Sequence, residues 1–155
     1  MQNPQPMEGA LFPANKLQYF TIDQLDKNLI ELSAGAIDVA DTGKDYTSFP
    51  SGVLVGSKFY VTDWLYSQEN TEITRPKAIS IIKMNDIDYT VIEINNMGRE
   101  YYKGVKESVG VKNNVRRFIT TANKLNKINK LAEYIKKHFV FRNDVAPDRD
   151  WETPL

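Results

Sequence analysis

The run Tyr89-Thr90-Val91-Ile92-Glu93-Ile94 constrains the fold of this chain more than any other stretch. It is rich in β-branched and aromatic residues and nearly continuous in its apolar character, which is the pattern of a strand covered on both faces. Such strands lie inside sheets flanked by helices. Glu93 is out of keeping with that setting. A carboxylate in a covered strand is costly unless something compensates its charge. A salt-bridge partner would do so, and so would a metal ion.

A second acidic feature lies earlier in the chain. Ala36-Ile37-Asp38 is a small apolar run that ends in an acid, and Asp41 and Asp45 follow around Gly43 before Tyr46-Thr47 begins a new strand-like run. The carboxylates of Asp38, Asp41 and Asp45 fall where a strand hands over to a turn. Asp and Gly are ordinary turn residues, so a solvated acidic turn explains the stretch by itself. The distant Glu93 is what raises the metal-site reading.

Composition narrows the chemistry. The chain has 155 residues, enough for one domain with a real core. It has no Cys and a single His, His138. Disulfides, thiolate zinc sites and a Cys nucleophile are thereby excluded, and a Ser-His-Asp triad or multi-His site is disfavoured. Metal chemistry would rest on carboxylates, which favour hard ions such as Mg²⁺ or Mn²⁺. No apolar run approaches the roughly 20 residues that span a bilayer, and the N-terminus lacks the pattern of a signal peptide. Net charge is zero but unevenly spread: residues 1–74 carry four Lys/Arg against ten Asp/Glu, and residues 75–142 carry fifteen against six. An acidic half beside a basic half suits a site where metal ions and a polyanion meet, although basic residues also simply solvate helix faces.

Residues 1–32 are expected to be a linker or N-terminal arm, punctuated by Pro4, Pro6 and Pro13, with Thr21 and Gln24 placed to cap a helical turn. Strands are expected at about Ala34–Val39, Ser48–Val55 and Lys58–Tyr66. Gly56-Ser57 forms a tight hairpin turn between the last two. Thr74-Arg75-Pro76 reads as a helix start, with Pro76 near the first helical position and the helix running to about Met84. Then come a strand to Ile94, a helix at about Arg99–Val109, a strand at Val115–Thr121, a helix at Lys124–His138 and a strand at Phe139–Arg142. Leu125, Ile128, Leu131, Ala132 and Ile135 make the apolar stripe of the last helix. Tyr101 and Tyr102 read as packing residues. A three-strand meander followed by helix–strand units predicts an α/β fold, a ribonuclease H-like mixed sheet flanked by helices. That layout would bring Asp38 and Glu93 together at one end of the sheet.

With these residues in place the chain resembles the C-terminal nuclease domain of the large terminase subunit of tailed bacteriophages. The segment from Gln2-Asn3-Pro4 to Phe12-Pro13 resembles the linker that follows the family's ATPase domain. Asp38-Val39-Ala40-Asp41 through Asp45-Tyr46-Thr47 resembles its first acidic motif, and Ile92-Glu93-Ile94-Asn95-Asn96-Met97-Gly98 its second. Thr120-Thr121-Ala122-Asn123-Lys124 and Phe141-Arg142-Asn143-Asp144 also fit. Each motif is weak alone; their order and spacing carry the resemblance, which covers nearly the whole chain.

The resemblance implies a metal-dependent endonuclease domain, residues 33–155, that cuts concatemeric double-stranded DNA during viral genome packaging. It implies Asp38 and Glu93 as catalytic, metal-ligating carboxylates for two divalent cations, Mg²⁺ or Mn²⁺, with Asp41 and Asp45 as helpers. It implies the N-terminal ATPase domain, the small terminase subunit and the portal as partners, and the cytoplasm of the bacterial host as location. Two departures stand out. There is no Gly-x-x-x-x-Gly-Lys-Ser/Thr loop, so this chain is not the motor. The family's third acid is expected beyond Leu155, with Asp144, Asp148 and Asp150 as the late candidates within the chain. Lys44, Arg99, Lys103, Arg116, Arg117 and Lys124 are candidates for phosphate contacts, which would be salt-sensitive and indifferent to sequence. Other readings stay open: a resolvase or integrase core of the same fold, or a domain that binds DNA or a partner without cutting. An actin-like phosphate binder is disfavoured because no second Asp-x-Gly loop follows a later strand.

Overall fold

The computed structural model describes residues 16–41, 44–94, 97–118, 132 and 134–144. Its elements, in chain order, are β1 (Gln18–Phe20), β2 (Leu32–Ile37), β3 (Thr47–Val55), β4 (Lys58–Ser67), α1 (Thr71–Met84), β5 (Tyr89–Glu93), α2 (Gly98–Ser108), β6 (Asn114–Phe118) and β7 (Phe139–Arg142). The strands form one mixed sheet in the order β1-β7-β4-β3-β2-β5-β6. β2, β3 and β4 are the antiparallel meander; β5 lies parallel to β2, β6 parallel to β5, and β7 parallel to both β4 and β1.

Local chemistry explains most of these boundaries. The β3–β4 hairpin turns on Gly56-Ser57, and Gly56 takes a φ of 60°, a conformation glycine adopts without strain. α1 starts three residues before the expected Thr74. Asn70 caps it, its side chain accepting from the Ile73 amide at 3.2 Å, and Glu72 in the first turn suits the positive end of the helix. Pro76 consequently lies inside the helix, where it forgoes one backbone hydrogen bond. β1 lies within the stretch expected to be an arm, where Thr21 and Gln24 make a single 3-10 turn, the Gln24 side chain accepting from the Thr21 amide. Residues 134–138 and Ala132 are helical, consistent with the C-terminal part of the expected Lys124–His138 helix; the remainder of that helix lies outside the described residues.

One face of the sheet holds the core. Ile37 at the end of β2 and Val39 just beyond it, with Phe49, Leu65, Ile92 and Val115, meet Ala78, Ile81 and Ile82 of α1 and Tyr101 and Val105 of α2. Tyr101 is fully buried, its hydroxyl 3.3 Å from Thr74 Oγ1, and burial pushes its pKa up to about 12. Alternation along each strand leaves the neighbours of these residues on the opposite face.

The register of β2 against β5 is set at their N-terminal ends. The Ser33 amide donates to Asp88 Oδ2 at 2.8 Å and the Asp88 amide donates to Ser33 Oγ at 2.8 Å. Ser33 Oγ also donates to the Asp86 carbonyl at 3.2 Å. From this reciprocal clamp the strands run in step, Ala34 opposite Tyr89 and Ile37 opposite Ile92. A slip of one residue would turn every β5 side chain to the other face. Asp88→Ala removes the side-chain half of the clamp and is expected to lower stability by about 1–3 kcal/mol. Urea unfolding reads this directly; an unchanged midpoint would mean that the ladder alone holds the register.

Candidate metal centre

The strand pair β2–β5 carries the two acids out of the core side by side. Ile37 and Ile92 are paired in register and both are buried in the core, so the next residues, Asp38 and Glu93, are neighbours on the opposite face. Adjacent strands put their backbones about 5 Å apart. Asp38 is held on its other side as well: its amide donates to the Ser48 carbonyl and the Ser48 amide to its carbonyl, both at 2.9 Å. Just beyond, the Ala40 amide donates to Thr47 Oγ1 at 3.0 Å, which closes the neck of the β2–β3 loop. Glu93 is followed by an Ile94 amide that donates to the Phe118 carbonyl at 2.8 Å. Glu93 is 8% exposed and Asp38 half-buried.

The pairings extend this juxtaposition into a row across the sheet: Tyr66, Ser48, Asp38, Glu93 and Phe118, all on one face. Behind it lies a parallel row in which Trp64 opposes Pro50, and Ala36 opposes Val91, which opposes Arg116. Ser48, Trp64, Tyr66 and Phe118 had no motif to mark them in the sequence; strand parity is what places them at the acids.

The other expected residues spread around this row. Asp41, Lys44 and Asp45 are exposed in the β2–β3 loop. Arg99 and Lys103 are exposed on α2. Arg116 and Arg117 are both exposed but alternate in direction: Arg116 shares the acid face with Val91, whereas Arg117 pairs with Ile92 and points to the helical side. Tyr101 and Tyr102 pack as expected, Tyr102 lying half-buried beneath Lys106 Nζ, 5.5 Å from its ring centroid. Lys124 and Asp148 lie outside the described residues. A buried acid with no counterpart in the sequence reading, Asp63, sits opposite Ser51 on the helical face and accepts from Asn85 Nδ2 at 2.7 Å.

Asp144 is committed elsewhere. It lies at the same sheet edge as Asp38, but its strand stands three places away, roughly 14 Å across the sheet. There it accepts from Arg142 Nε at 2.6 Å and from the Ile22 amide at 3.0 Å, tying the end of β7 to the turn after β1. Among the described residues no group of three or more His, Asp or Glu side chains is placed to hold an ion. The donor set at the row is thus two adjacent carboxylates. That set fits a hard cation such as Mg²⁺, which keeps several waters and takes one or two carboxylates plus substrate phosphate oxygens.

The Arg142 guanidinium, and after it the Ile22 amide, hold the Asp144 carboxyl below the usual carboxylate range. A depressed pKa in the folded state means that the contact stabilises above about pH 4, the ordinary carboxylate value, and is lost as pH falls through the folded one. Asp144→Asn should therefore lower the unfolding midpoint at pH 7, with the gap closing in acid. A gap that persists at the lowest pH where both proteins fold would mean that charge is not what the contact contributes.

A scan against protein-family models and a search of curated proteins return no match. Solved structures do match. The nuclease domain of the large terminase subunit of bacterial virus Sf6 is similar over 64% of this chain and 42% of its own, with 18% identity and a TM-score of 0.50. The human cytomegalovirus terminase nuclease domain is similar over 87% of this chain and 75% of its own, at 11% identity and a TM-score of 0.59. The large terminase of a thermophilic bacteriophage is similar over 86% of this chain, at 12% identity and a TM-score of 0.62. This chain thus spans less than half of the Sf6 domain and 33% of the thermophilic phage protein. At such identities the likeness establishes the fold, and the expected class is met: a ribonuclease H-like mixed sheet with helices. The architecture is the one found in viral terminase nuclease domains.

Proposed function

We propose that this chain is the nuclease domain of a terminase large subunit, and that Asp38 and Glu93 hold divalent cations for hydrolysis of DNA phosphodiester bonds. The observation that carries this reading is the register of β2 and β5, which sets the two carboxylates side by side at the C-terminal ends of parallel strands. Ligand sites in open α/β sheets favour that end of the strands. Manganese is present in structures of the cytomegalovirus and Sf6 nuclease domains, which supports Mn²⁺ or Mg²⁺ here.

Bound at this pair, two divalent cations would supply an activated water and neutralise the charge that develops on the scissile phosphate. The chain's own part is positional. The Ser48 exchange holds Asp38 from one side and the β5–β6 ladder holds Glu93 from the other, so neither carboxylate backbone needs to reorganise. Asp41 and Asp45, in the exposed loop beyond β2, are helpers that would join on loading, and Asp148 is one late candidate for a third ligand. Lys44 and Arg116 stand on the two flanks as phosphate contacts; Arg99, Arg117 and Lys124 are further candidates. The domain comprises residues 33–155 together with β1, which its sheet recruits. Within a longer protein it would work beside an ATPase domain, a small terminase subunit and a portal, on concatemeric double-stranded DNA in the cytoplasm of a bacterial host. No helix among the described residues is long and apolar enough to cross a membrane.

The test is nicking of supercoiled plasmid with Mn²⁺. Asp38→Asn and Glu93→Gln should each slow nicking on the order of 100-fold or more while leaving the unfolding midpoint near that of the parent. Variants that cut at the parent rate would remove the pair from the chemistry. A parent chain that binds duplex yet never cuts with Mn²⁺ or Mg²⁺ would leave a DNA-binding domain of this fold.

A further inference from the structure

Three aromatic side chains stand exposed beside the acid row. Tyr46, Trp64 and Tyr66 are 42%, 46% and 45% exposed and belong to no part of the core cluster. Their arrangement is nonetheless ordered. Tyr46 and Tyr66 stack with ring centroids 4.2 Å apart and planes 6° from parallel. Trp64 meets Tyr66 edge-on at 6.5 Å. The indole N–H of Trp64 donates to Ser48 Oγ at 2.9 Å, so the one polar atom of that ring is engaged by the protein.

The cluster is continuous with the acids. Tyr66 opposes Ser48, and Ser48 opposes Asp38, so two strand spacings, about 10 Å, separate the Tyr66 and Asp38 backbones. At about 3.4 Å per stacked nucleotide this is a reach of some three nucleotides. The intervening residues on this face, Ser48, Pro50 and Ala36, are small and raise no wall. Lys44 lies exposed in the loop beside Tyr46.

We propose that Tyr46, Trp64 and Tyr66 form a stacking platform for unpaired nucleotides of the DNA strand whose phosphate is cut at Asp38 and Glu93. This inference rests on the nuclease reading of the acid pair. A paired base keeps its faces inside the duplex stack; only an unpaired one can lay a face on a protein ring, and such stacking tolerates any sequence. A protein partner fits the patch less well. Stable protein interfaces bury about 800 Å² on each partner, and their centres are depleted of charge, whereas here a carboxylate pair begins one strand beyond Ser48. The platform gives the nuclease a preference for strands that are frayed, gapped or opened next to the cut.

The experiment uses the chain with Trp151→Phe, which leaves Trp64 as the single tryptophan. Oligothymidylate and a duplex of equal length are titrated in with Ca²⁺ while Trp64 fluorescence is followed, and cleavage of gapped and fully paired duplexes is compared with Mn²⁺. Oligothymidylate should quench Trp64, and Tyr66→Ala and Tyr46→Ala should each weaken its binding about 5-fold or more. Tyr66→Ala should also abolish the preference for the gapped substrate while cutting of the paired duplex persists. Tyr66→Phe, which keeps the ring, should behave as the parent and shows that any loss is not misfolding. Oligothymidylate binding that leaves Trp64 unquenched, or equal binding by the alanine variants, would overturn the platform, as would Trp64 already shielded by self-association of the free chain. Quenching with no cleavage of any substrate would instead refute the nuclease reading and leave the platform standing; cleavage with no quenching would do the reverse.

Discussion

The reciprocal hydrogen bonds between Ser33 and Asp88 govern more of this molecule than their size suggests. They lock the entry of β5 onto β2, and five residues later, on both strands at once, the chain reaches an acid. Asp38 and Glu93 are neighbours because that count is equal. The core enforces the same register from within, since Ile37 and Ile92 pair beneath α1 and α2 and could not turn outward without emptying it. Packing on one face thereby fixes where the two acids stand on the other.

The acid face divides its labour between elements of different rigidity. Asp38 and Glu93 sit on ladder-bonded backbone, while Asp41, Lys44 and Asp45 ride on an exposed loop whose neck is closed by Thr47. Such a split suits a polyanion substrate. On the proposed reading, ions would need accurate placement, whereas phosphates arriving in any sequence context call for side chains that adapt. The aromatic flank adds an uncharged surface on the side of the meander away from β5 and β6.

The parts of this fold that were legible in the sequence are those in which one short-range conflict has only one resolution. The strand Tyr89–Ile94 was legible from its continuous β-favouring run, and the glutamate within it is buried as that run implied. Gly56-Ser57 between two strand-like runs signalled a hairpin because few other pairs turn so tightly. The acid pairing followed from the order of the elements. What escaped was decided at long range or by parity. β1 is three residues long, too short to show an alternation, and its partner strand is more than a hundred residues away. Pro76 pointed to a helix start that Asn70 had already taken. The outward face of Trp64 and Tyr66 was hidden by a register shift between Ser51 and Gly52, which breaks the two-residue period along β4. At that place a Cβ on Gly52 would stand 2.0 Å from the Tyr60 carbonyl oxygen, so the shift depends on glycine. No count of alternating residues on a single strand reveals it.

The sheet order also dictates when the molecule can be assembled. β1 comes first among the strands, yet its ladder partner is β7, the last strand among the described residues. The meander, β5 and β6 can form as each is completed, from contacts of modest sequence separation. β1 must wait, unpaired, until residues 139–142 exist and have docked on β4. Closing so long a loop carries a large entropic cost, and topologies of this kind fold slowly. During synthesis the leading segment therefore stays without a ladder partner, and its capture by β7 is the last pairing to form among the described strands. The Asp144 contacts to Arg142 and Ile22 act as the latch on that final step.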